Sequence, residues 1–186
     1  SILNYTDVKR LRISSIQPSE FSEDLLSIWS NEGKRRLCQH FHIPLQSGSN
    51  QILKSMRRTY TKEEFILCAE KVKAELPESS ITTDIICGYP GEDDYSHEET
   101  KETIEKIELS DGHVFPYSKR EGTSAFFMKN QLDPKIKSQR SAELRNIIQR
   151  KFIKFRKSNY GKTKSVLWEG KNRKSGLTDN YIRVKA

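Results

Sequence analysis

The sequence predicts an α/β fold built on parallel strands, with a small β module after its last long helix. Four short segments rich in Ile, Val or aromatic residues read as strands: Arg10–Ile16, His40–Leu45, Ile81–Gly88 and Gly112–Tyr117. Segments with a helical apolar period separate them, so strand and helix alternate roughly every 30 to 40 residues, the rhythm of βαβ units. Each strand also runs into a polar or glycine-rich phrase, as strands do at the ligand-binding end of a parallel sheet.

Taken in order, Ser19–Asn31 carries Phe21, Leu25, Leu26 and Trp29 at helical spacing. Asn50–Arg58 reads as a short helix ending in Met56, Arg57 and Arg58. Thr61 and Glu64 form a capping box, after which Phe65, Ala69, Val72 and Leu76 continue one apolar stripe. Glu98–Leu109 reads as a charged helix with Ile104 and Ile107 inward, and the carboxylates of Glu92–Glu105 as its solvated start. Asp133 and Pro134 supply an N-cap and a first-turn proline for a long helix whose apolar positions are Leu144, Ile147, Ile148, Phe152 and Phe155. Lys151, Lys154, Arg156 and Lys157 crowd its end, where they complement the helix dipole. Gly161 breaks the pattern. Lys164–Glu169 and Asn180–Lys185 then read as strands around a turn-rich Gly170–Thr178; two strands alone are seldom stable, so a larger β module is expected.

Composition narrows the class. The chain has 186 residues, 34% hydrophobic and 31% charged, enough for one domain and a small appendage. No apolar run approaches the ~18 residues that a membrane helix needs, and no basic-then-apolar leader argues for secretion. The net charge is +8, mostly beyond residue 134, which suits a polyanionic partner or simply a solvated basic helix face. Cys38, Cys68 and Cys87 are too widely spaced for a local metal knuckle, and an odd number argues against a disulfide framework, so reduced thiols and a cytosolic setting are expected. Ser1 opens the chain without an initiator Met, which suggests a piece of a longer protein.

Candidate chemistry gathers at the strand tips. Gln46-Ser47-Gly48-Ser49 leads into the short helix ending at Arg58, so an amide and a planar guanidinium fork could grip a carboxylate from two directions; Arg57 and Arg58 could equally complement a helix end. Asp84 lies within an apolar strand and needs donors, either ligand hydroxyls or a neighbouring strand. His40 and His42 alternate on one strand and face the same way, a spacing open to metal ligation or to ordinary packing. No Ser-His-Asp pattern and no phosphate-binding glycine motif is present.

The strand-tip phrases Arg12–Pro18, His40–Ser49 followed by Met56–Arg58, Thr83–Glu92, and His113–Thr123 resemble the radical S-adenosylmethionine (SAM) tRNA methylthiotransferases, in order and spacing over nearly the whole chain. Pro44–Ser49 and Phe115–Arg120 resemble the tRNA branch rather than the branch that modifies a ribosomal protein. Within it they are most similar to enzymes acting on threonylcarbamoyl-adenosine, ahead of the isopentenyl-adenosine branch. The resemblance implies a partial (β/α)6 barrel in which the four strands are strands three to six. Residues 1–157 would be the C-terminal half of the radical SAM domain. Residues 158–186 would begin a TRAM-like RNA-binding domain, whose recurring phrase Asn180–Val184 matches.

For the whole protein it implies a cytoplasmic transferase adding a methylthio group to a modified adenosine beside the anticodon. That enzyme would use SAM and two 4Fe-4S clusters, with the tRNA anticodon stem-loop as partner. Carried onto this chain, Gln46 and Arg58 would flank the ribose and methionyl carboxylate, and Asp84 would bind the ribose hydroxyls. Ile86 would lie flat against adenine, the backbone at Phe115 would meet the adenine edge, and Ser15 would stand near the methionyl end. The departures are as specific. The three-cysteine loop C-x-x-x-C-x-x-C, the glycine-rich loop and the first two strands are missing, Gln17 replaces the usual Glu, and Cys87 an aliphatic residue. By itself the chain is therefore expected to be catalytically inactive and to bind SAM poorly. A cluster-free RNA-binding module and, further off, a metal-dependent barrel hydrolase using His40 and His42 are the alternatives.

Overall fold

A computed structural model describes residues 2–30, 36–170 and 174–186. After a single turn, α1 (Ile2–Tyr5), and a 3-10 turn at Pro18–Glu20, α2 (Glu23–Ser30) occupies most of the expected first helix; its proposed end at Asn31 falls outside the described residues. The main sheet holds β1 (His40–His42), β2 (Ser80–Cys87) and β3 (Asp111–Pro116), all parallel and in that order. The crossovers are helical: α3 (Asn50–Ser55) and α4 (Lys62–Glu75) link β1 to β2, α5 (Asp94–Lys106) links β2 to β3, and α6 (Pro134–Lys157) follows. Thr61 caps α4 as its sequence promised, accepting from the Glu64 N–H while Glu64 reaches back to the Thr61 N–H.

One side of this sheet is the core. Phe41, Ile81, Ile85 and Cys87 alternate toward the helices and meet Phe65, Val72, Ile104 and Leu144, all buried. The intervening residues, His42, Asp84, Ile86, His113 and Phe115, face the other way and keep solvent contact. This is the concave side of an incomplete barrel, and it positions the candidate site.

Four expectations change. Arg10–Ile16 is not a regular strand: it touches β1 only through isolated parallel bridges, Leu11 to Leu37 and Ser15 to His42. Arg10 and Arg12 explain this, because their guanidinium groups donate to carbonyls of the small sheet, at Leu177 (3.0 Å) and Thr178 (3.3 Å). Helix α5 starts four residues earlier than expected because Asp93 caps it, accepting from the Ser96 N–H at 2.7 Å. Glu92 is not part of a solvated helix start but is buried against Arg140. The stretch expected as a turn contains a strand, β5 (Ser175–Thr178), which pairs antiparallel with both β4 (Val166–Glu169) and β6 (Arg183–Lys185). Gly176 permits this, since a Cβ there would lie 2.6 Å from the Leu167 carbonyl oxygen.

The small sheet docks at the N-terminal ends of the parallel strands. Asn180, fully buried, donates to the Glu78 carbonyl (3.2 Å) and to Asn159 Oδ1 (2.9 Å). Tyr181 lays its ring flat on His40, centroids 4.1 Å apart. No helix among the described residues is long and apolar enough to cross a membrane.

Candidate ligand shelf at the strand tips

Strand β2 passes through the middle of the sheet, so its alternate side chains Asp84 and Ile86 project from the centre of the concave face. Asp84 is in register with His113, and Ile86 with Phe115, whose side is half exposed. Beyond β1 the chain stays beside β2: the Gln46 N–H donates to the Asp84 carbonyl and its own carbonyl accepts from the Ile86 N–H, both at 2.8 Å. Gln46 makes these bonds with φ at +64°, a conformation that costs a non-glycine residue about 1–3 kcal/mol and persists where its surroundings fix it.

The loop is fixed from below as well. The Gly48 N–H donates to Thr100 Oγ1 at 3.0 Å, so close to α5 that a Cβ would stand 2.5 Å from the Thr100 Cα. Arg58 follows α3 through a second left-handed residue, Arg57 (φ +59°), with the Arg58 N–H donating back to the Leu53 carbonyl. The Tyr60 hydroxyl then donates to the Pro44 carbonyl at 2.8 Å and ties this turn to the Gln46 loop. The Arg58 Nε is buried without a protein partner, a polar atom whose desolvation is uncompensated by the chain itself. Ser15 stands apart: it is level with His42 and Thr82, two residues short of Asp84 toward the N-terminal end. Gln46, Asp84, Ile86 and Phe115 thus share the tips, Arg58 lies two residues before the Tyr60 that ties its turn to the Gln46 loop, and Ser15 lies lower on the face.

Three polar residues join the face that sequence reasoning had not linked to Asp84. His42 Nε2 lies 3.4 Å from Asp84 Oδ2, and His113 Nδ1 3.3 Å from Oδ1. Thr82 Oγ1 stands between His40 Nε2 (2.8 Å) and His42 Nδ1 (3.2 Å). The alternation of His40 and His42 was visible; the register that brings Asp84 to them was not. His40 and His42 do share a face, but not as a metal-ligand pair. His40 is closed over by Tyr181, and burial, reinforced by the Arg12 charge, lowers its pKa to about 3.

Cys87, Glu92 and His97 also cluster, with ligand atoms within 4.8 Å of one another. Arg140 occupies the place a cation would want, donating to the Glu92 carboxylate at 2.8 Å and to its carbonyl at 2.9 Å. Burial pushes the Cys87 thiol up to about 12. This cluster ties the loop after β2 to α6, with the Arg140 guanidinium as its cation. Cys68 is likewise buried with its thiol raised to about 12, and Cys38 is buried and raised by the same cause. None of the three is placed or ionised as an iron–sulfur ligand.

A cavity of about 440 Å³ lies at the opposite end of the fold, bordered by Lys73, Lys151, Lys154 and Phe155. Its two most buried lysines serve main-chain carbonyls around it: Lys73 donates to that of Ser79 (2.5 Å), just before β2, and Lys151 to those of Glu105 (2.9 Å) and Ile107 (2.7 Å) at the end of α5.

Residues 5–107 match the family described as the Radical SAM superfamily. The chain is 35% identical over 177 residues to a tRNA-2-methylthio-N(6)-dimethylallyladenosine synthase of Caldicellulosiruptor saccharolyticus, covering 95% of this chain and 37% of that protein. It is 37% identical over 184 residues to the threonylcarbamoyladenosine tRNA methylthiotransferase MtaB of Bacillus subtilis, covering 95% of this chain and 40% of that protein. The chain therefore spans about two fifths of the length of these relatives. Among solved structures it superposes on the radical SAM enzyme HemN, coproporphyrinogen III oxidase of Escherichia coli, with a TM-score of 0.62 at 17% identity over 76% of this chain and 32% of that one, a likeness of fold alone.

Proposed function

Because the chain belongs to the radical SAM superfamily, we propose that the concave tips of its parallel strands form the shelf on which S-adenosylmethionine lies. The observation that carries this reading is the registered row of Asp84, His113, Ile86 and Phe115, a carboxylate beside apolar surface on one open face, with the Gln46 backbone bonded alongside Asp84 and Ile86. Asp84 accepts from the ribose hydroxyls, and Ile86 lies against the adenine ring. The backbone at Phe115 addresses the adenine edge. Gln46 and Arg58, with its unpaired Nε, receive the methionyl carboxylate, and Ser15 borders that end from below. SAM bound here would supply the adenosyl group on which radical chemistry depends; the chain's own residues orient it and shield it from water.

In the whole protein the reading is a methylthiotransferase that modifies an adenosine beside the anticodon of a tRNA, in the cytoplasm, with two 4Fe-4S clusters. Both kinds of relative named above support the general chemistry, and the sequence phrases favour a threonylcarbamoyl-adenosine substrate. Cys38, Cys68 and Cys87 do not fit as cluster ligands, so no step is assigned to them. Residues 158–186 are read as the start of a TRAM-like module carrying the RNA contact, alongside the basic end of α6.

The test is a 1H–15N NMR titration of this chain with SAM, a measurement sensitive to the weak binding expected without cluster ligation. Shifts confined to Ser15, Gln46, Arg58, Asp84, Ile86 and the Phe115 amide, and abolished in Asp84→Asn, support the shelf. Shifts centred on α6 or on the small sheet would refute it.

A further inference from the structure

We infer that Thr82 and His42 are positioning residues that hold the Asp84 carboxylate toward the open face: a hydrogen-bonded row, His40–Thr82–His42, has its direction fixed at buried His40 and sets His42 in charge contact with Asp84. The inference rests on the reading that Asp84 receives the ribose hydroxyls.

The direction follows from counting protons. An ionised carboxylate offers only acceptors, so the His113 Nδ1 hydrogen-bonded to Oδ1 at 3.3 Å carries its hydrogen, and a bare His42 Nε2 lone pair 3.4 Å from Oδ2 would be repelled, which places a hydrogen there too. In the neutral His42 ring the Nδ1 is then a bare acceptor. The Thr82 hydroxyl has one hydrogen and lies 3.2 Å from that Nδ1, so it donates there. Its oxygen is left to accept from His40 Nε2 at 2.8 Å. The His40 Nδ1, buried without a partner, is accordingly a bare lone pair and not a stranded N–H. Every group along the row is satisfied in only one sense: His40 donates to Thr82, Thr82 donates to His42, and His42 faces Asp84 with its N–H.

The opposite sense is costly. A doubly protonated His42 would donate to Thr82 Oγ1, whose own hydrogen would then either be left without an acceptor or turn toward His40 Nε2. In the second case the His40 hydrogen would sit at Nδ1, a buried donor with nothing to receive it. Tyr181 enforces the choice, because its ring covers the imidazole and Asn180 locks the turn that carries it. Burial keeps His40 uncharged, which limits it to one hydrogen.

The two partners of Asp84 are unequal. His113 is 69% exposed and free to swing, whereas the His42 side chain is 20% exposed and braced by Thr82. His42 is the member that can orient the carboxylate. The Asp84 side chain, 30% exposed, keeps its outward lone pairs for a vicinal diol.

Imidazole 15N NMR on this chain at pH 7.5 reads the chain directly: both His40 and His42 carry hydrogen at Nε2 and none at Nδ1. Titration with SAM reads its consequence. Thr82→Val keeps the shape, removes the hydroxyl and weakens SAM binding about tenfold, while Thr82→Ser stays near wild type. His42→Leu weakens it to a similar degree, and His42→Gln rescues, since its amide oxygen accepts from Thr82 and its NH2 donates to Asp84. A hydrogen on His42 Nδ1, or a Thr82→Val protein that binds SAM like wild type, overturns the inference. Should Thr82→Val not fold, the tautomers and the Leu/Gln pair at His42 decide. Wild type that binds no SAM while showing the stated tautomers overturns the ribose reading and with it the positioning role, and leaves the direction of the chain standing.

Discussion

His40 makes the stability of this fold fall on the acid side of neutrality, and the size of the fall follows from its surroundings. The ring is 5% exposed, covered by Tyr181, and its pKa is lowered from 6.5 to about 3, by burial first and by the Arg12 charge second. Below pH 6.5 the unfolded chain takes up a proton at this imidazole, and the folded chain does not until about pH 3. Each pH unit in that window therefore shifts the balance toward unfolding by about 1.4 kcal/mol. At pH 5 the loss attributable to His40 is about 2 kcal/mol, a large part of the stability of an ordinary domain. The perturbation that isolates it is His40→Gln, whose amide keeps a donor for Thr82 and has no proton to gain. Urea unfolding followed by tryptophan fluorescence, at intervals from pH 7.5 to pH 5, gives the free energy for both proteins. The wild-type curve should fall below its own neutral value by about 2 kcal/mol more than the variant's does. Parallel curves would refute the reasoning, since every other titrating group is common to both. Measurements stop at pH 5 because carboxylates begin to contribute below it.

Arg140→Met should destabilise by about 3–5 kcal/mol in urea unfolding, because it leaves the Glu92 carboxylate buried without its cation; adding Glu92→Gln should recover part of that loss. Gly48→Ala should cost about 1–3 kcal/mol, the price of a methyl forced against the Thr100 Cα, and should shift the Gln46 amide in NMR spectra. Glu78→Gln should lower amide protection of residues 178–182 in hydrogen exchange. The carboxyl is held down to about 2 by Lys164 first and Lys162 second, so in wild type the ion-pair contribution to this docking is present in full above about pH 4.5 and is lost as pH falls toward 2.

What the sequence revealed and what it withheld divide along the distance of the partner. Thr61 with Glu64, and Asp133 with Pro134, announce helix starts because their hydrogen bonds close within four residues. Strand β2 announces itself by Ile81, Ile85 and Ile86, and β3 by Val114 beside Phe115. Glu92 misled because the cation that buries it, Arg140, is 48 residues away on another element. Strand β5 was hidden because Ser175-Gly176-Leu177-Thr178 has turn composition, and only its two flanking partners make it a strand. Gln46, Asp84 and Ile86 were legible as candidates, each at a strand tip. The contacts that define Asp84 were not, because His42 and His113 reach it only through the registers on either side of β2.

Those registers also explain why the open face is graded. At its lower end the small sheet covers His40, which is nearly inaccessible; in the middle the Asp84 side chain is partly open; at the tips Phe115 is 50% exposed. A face closed at one end has a fixed, dry anchor for its polar row, and a face open at the other has room for a ligand. The two conditions belong together. A carboxylate whose orientation is set from the buried side meets a diol without first reorganising, and that preorganisation is what affinity at a polar contact depends on. On the proposed reading, the module at the floor of the sheet acts on the ligand shelf from below, through Tyr181 and His40. Removing Tyr181 by substitution to Ala should open His40 to water and let the Thr82 hydroxyl sample both senses. The 15N spectrum of His42 would then show mixed tautomers in a protein whose strand tips are untouched. An unchanged His42 spectrum in Tyr181→Ala would show that the row holds its direction without its cover.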